Sequence, residues 1–259
     1  MTRWAAAVEY LGTAYSGWQS QSHAPSVQAA LEAALSKVAA HPVAVSAAGR
    51  TDTGVHAFSQ IVHFDSEARR SDYAWLLGTN SNLPEDVSLR WVQPVRADFH
   101  ARHSAIARRY RYVIHNSRSR SALLEKRATW INWTLDAEAM HRAAQALVGE
   151  LDFSAFRGSE CQSNTPMRCV TDIGVRREGD FVLLSIRANA FLHHMVRNIA
   201  GTLIEVGQGK QPEAWVAQVL ASRDRTLAGM NAPAAGLYFV AADYPDEFGL
   251  PATPDFWLP

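Results

Sequence analysis

The spacing of hydrophobic residues changes repeatedly between a strand period and a helix period along the chain. RWAAAVEYLG reads as an opening strand, whereas SVQAALEAALSKV places its apolar residues at helical spacing after Ser26, a suitable N-cap. Strands are also predicted at VAVSAAGR, SQIVHF and VSLRWVQPV, with a short helix at SDYAWLLGTN. The first hundred residues therefore predict a mixed α and β unit.

A second series of strands and helices follows residue 104. Strands are predicted at RRYRYVIHN, at GLYFVAADY and in a hairpin that turns at residues 178–180; helices are predicted at DAEAMHRAAQALVG, HHMVRNIAGTLIEV and PEAWVAQVLAS. We therefore predict an α+β fold of two similar halves, residues 1–104 and 105–259. Each half is expected to be a mostly antiparallel sheet with helices on one face, with a central basic cleft between the halves.

Composition narrows the class of protein. The chain has 259 residues, 47% of them hydrophobic, which favours a folded protein. No apolar run approaches the roughly 18 residues of a membrane span, and the first residues lack the apolar core of a secretory signal, so we expect a cytoplasmic protein with no membrane partner. Cys161 and Cys169 form no CxxC pair and the histidines have no zinc-site spacing, so no metal is predicted.

Positive charge is concentrated in one segment although the formal net charge is zero. Residues 96–127 contain nine Lys or Arg and two acidic residues, an excess of seven, which fits a track for a polyanion. The alternative is a general bias toward arginine, since Arg outnumbers Lys by 22 to 3 in the whole chain.

The decapeptide AGRTDTGVHA, residues 48–57, is the main candidate for chemistry. Gly54 can adopt a positive φ in a turn, and Asp52 could simply hydrogen-bond to the backbone of that turn. The tripeptide DTG also occurs in aspartic proteases, but they need two such aspartates sharing one proton; the chain has one, and Arg50 would keep it ionised. An ionised carboxylate can itself act as a nucleophile, or it can stabilise positive charge that develops at a sugar carbon.

Several ordered motifs resemble one known family. GRTDTGVHA is similar to the signature loop of the TruA family of tRNA pseudouridine synthases, usually GRTDAGVHA. YLGTAYSGWQ with SVQAALE, DFHARHSAIARRYRY, NAFLHHMVRN and GLYFVAADYP resemble further family segments in the same order. Thr53 stands where alanine is usual and Leu11 where aspartate is frequent.

The resemblance implies an enzyme that isomerises uridine to pseudouridine at positions 38, 39 and 40 of the tRNA anticodon arm, without a cofactor. It implies Asp52 as nucleophile and Arg197 as its ion-pair partner. Tyr110 would stack on the flipped uracil and could accept the C5 proton, and Leu237 would form an apolar wall under the base. The target base must leave a stacked stem, at a cost of a few kcal/mol.

The sequence also suggests residues for RNA binding, residues for the core, and an oligomeric state. The best candidates for phosphate contacts are Arg50, Arg102, Arg108 and Arg111, because arginine forks match phosphate geometry. His56, His100 and His103 could contact RNA or could serve in the core or in turns, and five tryptophans are predicted in the core: Trp4, Trp75, Trp91, Trp130 and Trp133. The resemblance also implies a homodimer. The alternative to an enzyme is a tRNA-binding module that has lost catalysis.

Overall fold

The computed structural model of the chain describes residues 1–254. Its strands are β1 (Thr2–Tyr10), β2 (Ser46–Ala47), β3 (His56–Ser66), β4 (Val87–Pro94), β5 (Ala107–Asn116), β6 (Thr129–Ile131), β7 (Gly149–Asp152), β8 (Met167–Glu178), β9 (Phe181–Ala188) and β10 (Leu237–Asp243). Its α-helices are α1 (Val27–Ala39), α2 (Asp72–Asn80), α3 (Ala137–Ala144), α4 (Met195–Gly207) and α5 (Trp215–Ser222). The predicted α+β class is confirmed, with a mixed and mostly antiparallel sheet.

The first compact unit comprises Met1–Ile106 and the described chain from Phe239 onward. Its strand order is β4-β1-β3-β10, and β2 pairs with β3. Both neighbours of β1 run antiparallel to it. Trp75 of α2 is fully buried and packs against Trp4 of β1 and Phe64 of β3, with ring centroids 5.9 and 5.1 Å away. These contacts anchor α2 on the sheet that carries the decapeptide.

The second compact unit comprises Ala107–Tyr238. Its strand order is β5-β9-β8-β7, all antiparallel, while β6 runs parallel to β5. Helix α3 packs on β8 and on α4. Met140 of α3 and Ile199 and Leu203 of α4 are fully buried, so the apolar faces of these two helices form much of this unit's core.

The strongest local predictions are confirmed. Ser26 caps α1, its side chain accepting a hydrogen bond from the Ala29 N–H, and the hairpin turns where expected, with Gly179 at φ +56°. VAVSAAGR forms only the two-residue β2, and the short strands β6 and β7 were not predicted. The last five residues of the predicted second half lie outside the described residues.

The predicted core position is wrong for Trp130 and Trp133, which are 44% and 67% exposed. Trp4 and Trp75 are buried as predicted, whereas Trp91 is only partly buried. Trp130 lies on the short β6, where its indole N–H donates to the Ser117 carbonyl oxygen at 2.9 Å. An aromatic side chain with a satisfied polar edge can remain at the surface.

No helix in the described part of the chain is both long and apolar enough to cross a bilayer.

Candidate active site

The Asp52 loop is a tight turn between β2 and β3. The Val55 N–H donates to the Asp52 carbonyl oxygen at 3.1 Å, which closes a four-residue turn. Gly54, the third residue of that turn, has φ +77°, a conformation that favours glycine. Asp52 is partly exposed, whereas Thr51 before it and Val55 at the end of the turn are buried. The loop therefore presents a carboxylate from an anchored backbone.

Residues of the N-terminal strand and the loop after it anchor this turn. The buried Tyr10 hydroxyl is 2.8 Å from the Thr51 hydroxyl, and burial raises the pKa of Tyr10. The Trp18 N–H donates to the Thr51 carbonyl oxygen at 3.0 Å. Gly17, at φ +93°, approaches the same carbonyl so closely that a Cβ would lie 2.7 Å from it. Backbone and side chain of Thr51 are thus both held.

A second contact fixes the chain directly after the last residue of the turn. The Gly12 N–H donates to Nδ1 of the fully buried His56, the first residue of β3, at 2.9 Å. This contact assigns His56 a core role among the alternatives left open by the sequence.

Arg197 lies in the first turn of α4, in the second unit. Its Nε donates to the Ala232 carbonyl oxygen at 2.8 Å, and the Ala232 N–H donates to the Arg197 carbonyl oxygen at 3.1 Å. Arg197 is partly exposed and Ala232 is buried. Ala232 could not be predicted from its residue type, because its backbone carbonyl makes the contact and any residue supplies one.

Tyr110 and Tyr112 lie on β5 with the same orientation but have different surroundings. Tyr110 is partly exposed and meets the Phe191 ring nearly edge-on, at 4.9 Å between centroids and 79° between planes. Tyr112 is fully buried, with its hydroxyl 2.6 Å from the Thr129 hydroxyl and 2.8 Å from the Pro233 carbonyl oxygen. Tyr112 is therefore a core residue. Phe191 was not among the site residues predicted from the sequence, although it lies within NAFLHHMVRN.

Leu237 begins β10 and is 5% exposed. The preceding Gly236 packs so tightly that a Cβ would lie 2.7 Å from both the Val113 carbonyl oxygen and the Thr129 hydroxyl. The start of β10 is thus held closely against Val113 of β5 and Thr129 of β6. A rigid apolar residue at this point fits the predicted wall.

The four candidate phosphate ligands differ in their local contacts. Arg50 and Arg102 are exposed and belong to the first unit, while Arg108 and Arg111 on β5 are partly exposed. Arg108 donates to the Asn189 carbonyl oxygen at 2.9 Å, and Nε of Arg111 donates to the Ser185 hydroxyl at 3.2 Å. These contacts hold both β5 arginines against β9 and the residue that follows it.

The segment that carries Arg102 is ordered by contacts among three histidines. The rings of His63, His100 and His103 lie next to one another with centroid separations of 4.5 and 4.2 Å and are tilted by 57° and 50°. Nδ1 of His63 accepts the Ala101 N–H at 3.1 Å, and Nδ1 of His100 accepts the Arg102 N–H at 3.1 Å. His100 thus serves in a turn, and burial lowers its pKa, as do the charges of His103 and Arg3.

Comparison with known proteins settles the family. A family model described as tRNA pseudouridine synthase matches residues 6–104 and 143–245. The chain belongs to this family. A tRNA pseudouridine synthase A of Aeromonas hydrophila is 56% identical over 259 residues, covering 99% of this chain and 96% of the relative. One from Escherichia fergusonii is 58% identical over 247 residues, covering 95% and 92%.

The family match covers most of the candidate residues. Asp52 lies in the first matched segment, and Arg197 and Leu237 lie in the second. Tyr110 falls between the two segments, within the span that the Aeromonas hydrophila relative covers. The resemblance inferred from the sequence is thereby confirmed for the family.

Proposed function

We propose that this protein isomerises uridine to pseudouridine in the anticodon arm of tRNA, at positions 38, 39 and 40, with Asp52 as the nucleophile. The observation that carries the proposal is the Asp52 loop: its backbone is bonded on both sides, through Thr51 and Val55, and its aspartate is partly exposed. Family membership supplies the reaction type, and the relatives' name specifies tRNA.

In the proposed reaction the N1–C1′ bond breaks, the uracil rotates, and a C5–C1′ bond forms. The proton leaves C5 and N1 gains one, so the reaction is an isomerisation without net redox change. Asp52 acts at the C1′ centre, where positive charge develops as the glycosidic bond breaks. Arg197 is the proposed ion-pair partner that holds the carboxylate in place.

Two further residues act on the base. Tyr110 stacks on the flipped uracil and accepts the C5 proton, and its contact with Phe191 supports a fixed ring orientation. Leu237 forms the apolar wall under the base, and the tight packing of Gly236 supports a rigid position for it. Excluding water around the base strengthens the electrostatic interactions there.

The remaining proposals concern tRNA binding and assembly. Arg50, Arg102, Arg108 and Arg111 contact phosphates along a basic cleft between two similar halves. We also propose a cytoplasmic homodimer: at 259 residues the expected radius of gyration is about 18 Å, so one chain spans far less than a tRNA. Closed two-fold dimers are the commonest oligomers.

Tritium release from tRNA labelled at uridine C5, followed by mapping of the modified positions, tests the function. The proposal expects catalytic release and pseudouridine in the anticodon arm. Tight tRNA binding with no release would favour the inactive binding module. For the dimer, light scattering that gives the single-chain mass of 28.5 kDa in fully active protein would contradict the proposal.

A further inference from the structure

Residues 225–232, here called the 225–232 segment, contact one face of α4 and its N-cap. They contact His194, Arg197, Asn198, Gly201 and Thr202, whose spacing of three and four residues defines a single helix face. Arg197 is one residue of this face. Its surroundings are therefore set by the segment as well as by the helix.

Two glycines let the backbones approach without side chains between them. A Cβ on Gly201 would lie 1.7 Å from the Met230 carbonyl oxygen and 3.4 Å from the Ala232 nitrogen. A Cβ on Gly229 would lie 2.7 Å from the Thr202 Cα. Because the neighbouring atoms are backbone, a methyl group at either position must displace the segment from the helix.

Polar contacts fix the register of the segment along α4. The Gly229 N–H donates to the buried Thr202 hydroxyl at 3.0 Å, and that hydroxyl donates to the Asn198 carbonyl oxygen at 2.8 Å. The Asn198 side chain accepts a bond from Arg225 Nη2 at 2.9 Å and donates to the Phe156 carbonyl oxygen at 2.9 Å. These bonds attach the segment to α4 at Asn198 and at Thr202, which lie before and after Gly201 along the helix.

The chemical consequence falls on the Arg197 guanidinium. Its Nε donates to the Ala232 carbonyl oxygen, which excludes a carboxylate from the side of the fork that includes Nε. A carboxylate would then be bound end-on by the two Nη groups, in a direction set by Ala232. Moving the Ala232 carbonyl would therefore rotate the arginine and change where it can hold an anion.

We propose that the 225–232 segment positions Arg197 for the reaction, with Gly201 and Thr202 as positioning residues that hold the segment on α4. The inference rests on the proposed function, in which Arg197 fixes the reactive carboxylate. Gly201 and Thr202 affect catalysis through Arg197 and need not contact the tRNA. Their loss should lower kcat with little effect on KM.

A matched pair of glycine substitutions on α4 tests the inference. Gly201→Ala should lower kcat about 100-fold, as expected for a displacement near 1 Å, with KM and tRNA affinity near wild type. Gly207→Ala is the control: its Cβ would be 2.6 Å from the flexible Met140 sulfur, so it should lower stability while kcat stays within twofold of wild type. Equal kcat values in the two folded variants would overturn the inference.

A second pair keeps the test decisive if Gly201→Ala does not fold. Thr202→Val preserves shape but removes the acceptor for the Gly229 N–H, and should lower kcat about tenfold. Thr202→Ser restores the hydroxyl and should recover most of kcat. Unchanged kcat in Thr202→Val, or no recovery in Thr202→Ser, would overturn the positioning role. Absence of pseudouridine formation by the wild-type protein would instead overturn the proposed function.

Discussion

The Gly12 N–H donates to Nδ1 of His56 at 2.9 Å. This bond joins Gly12, two residues after the end of β1, to the first residue of β3. The contact needs glycine, because a Cβ at residue 12 would lie 1.9 Å from the Val55 carbonyl oxygen. Val55 ends the turn that begins at Asp52. The start of the chain therefore helps to fix the proposed catalytic loop.

Gly12→Ala should destabilise the first unit and misplace this turn. Forcing a methyl group into packed backbone costs about 1–3 kcal/mol, so we expect a lower urea midpoint and reduced activity. The control is Gly78→Ala in α2, where the nearest atoms to a Cβ belong to the Val38 side chain, at 3.1 Å. This mild crowding opposes the gain of about 1 kcal/mol from the helix propensity of alanine, so stability should change little. Equal urea midpoints for the two variants would contradict the packing described for Gly12.

Stability should fall at acidic pH because of His63. Its pKa is lowered from 6.5 to about 4, mainly by burial and also by the charges of His100 and Arg3, while Asp65 acts in the opposite direction. Between these values the unfolded chain binds more protons at this residue, so its contribution to stability is complete above pH 6.5 and is lost as the pH falls toward 4.

His63→Asn tests this, since an amide oxygen can still accept the Ala101 N–H but does not titrate in that range. The slope of unfolding free energy against pH between 6.5 and 4 should be smaller in the variant. The same slope in both proteins would exclude His63 as the source.

Tyr110→Phe should separate stacking from proton transfer. Phenylalanine keeps the ring that meets Phe191 and removes the hydroxyl, so the variant should fold and bind tRNA like wild type. We expect it to cleave the glycosidic bond but to stall before loss of the C5 proton. In single-turnover experiments, a wild-type rate of tritium release would limit Tyr110 to stacking.

The basic residues should appear in the salt dependence of tRNA binding. Replacing Arg102, Arg108 or Arg111 by alanine should weaken binding and reduce the slope of log K against log salt by roughly 0.7–0.9 for each lost contact. Arg142→Ala is the control, because that arginine pairs with Glu213 at 2.6 Å. Slopes that match the control in all three variants would remove these arginines from the binding track.

Local signals in the sequence predicted most elements but not the contacts that fix the site. The Ser26 cap and the turn at Gly179 act within a few residues, so pattern and propensity identify them. By contrast, β6 has only three residues and pairs with β5 in parallel, too short a run for periodicity to reveal.

Contacts distant in sequence could not be inferred in the same way. The return of the chain to the first unit at Phe239 depends on strand pairing across most of the sequence. Gly12 with Val55, and Gly201 with Met230, are close approaches of backbone, and one glycine among many carries no signal of what it faces. The Asp52 loop was identifiable because its residue types matched a family signature.

The measurement that bears most directly on the proposed reaction is pseudouridine formation by Asp52→Asn, compared with wild type and with Thr53→Ala as the neighbouring control. The amide is a poor nucleophile of nearly the same shape, so Asp52→Asn should keep its fold and its tRNA affinity but lose turnover by several orders of magnitude. Thr53 is exposed, and Thr53→Ala should remain active. A pseudouridine yield from Asp52→Asn comparable to wild type would contradict the catalytic role of Asp52.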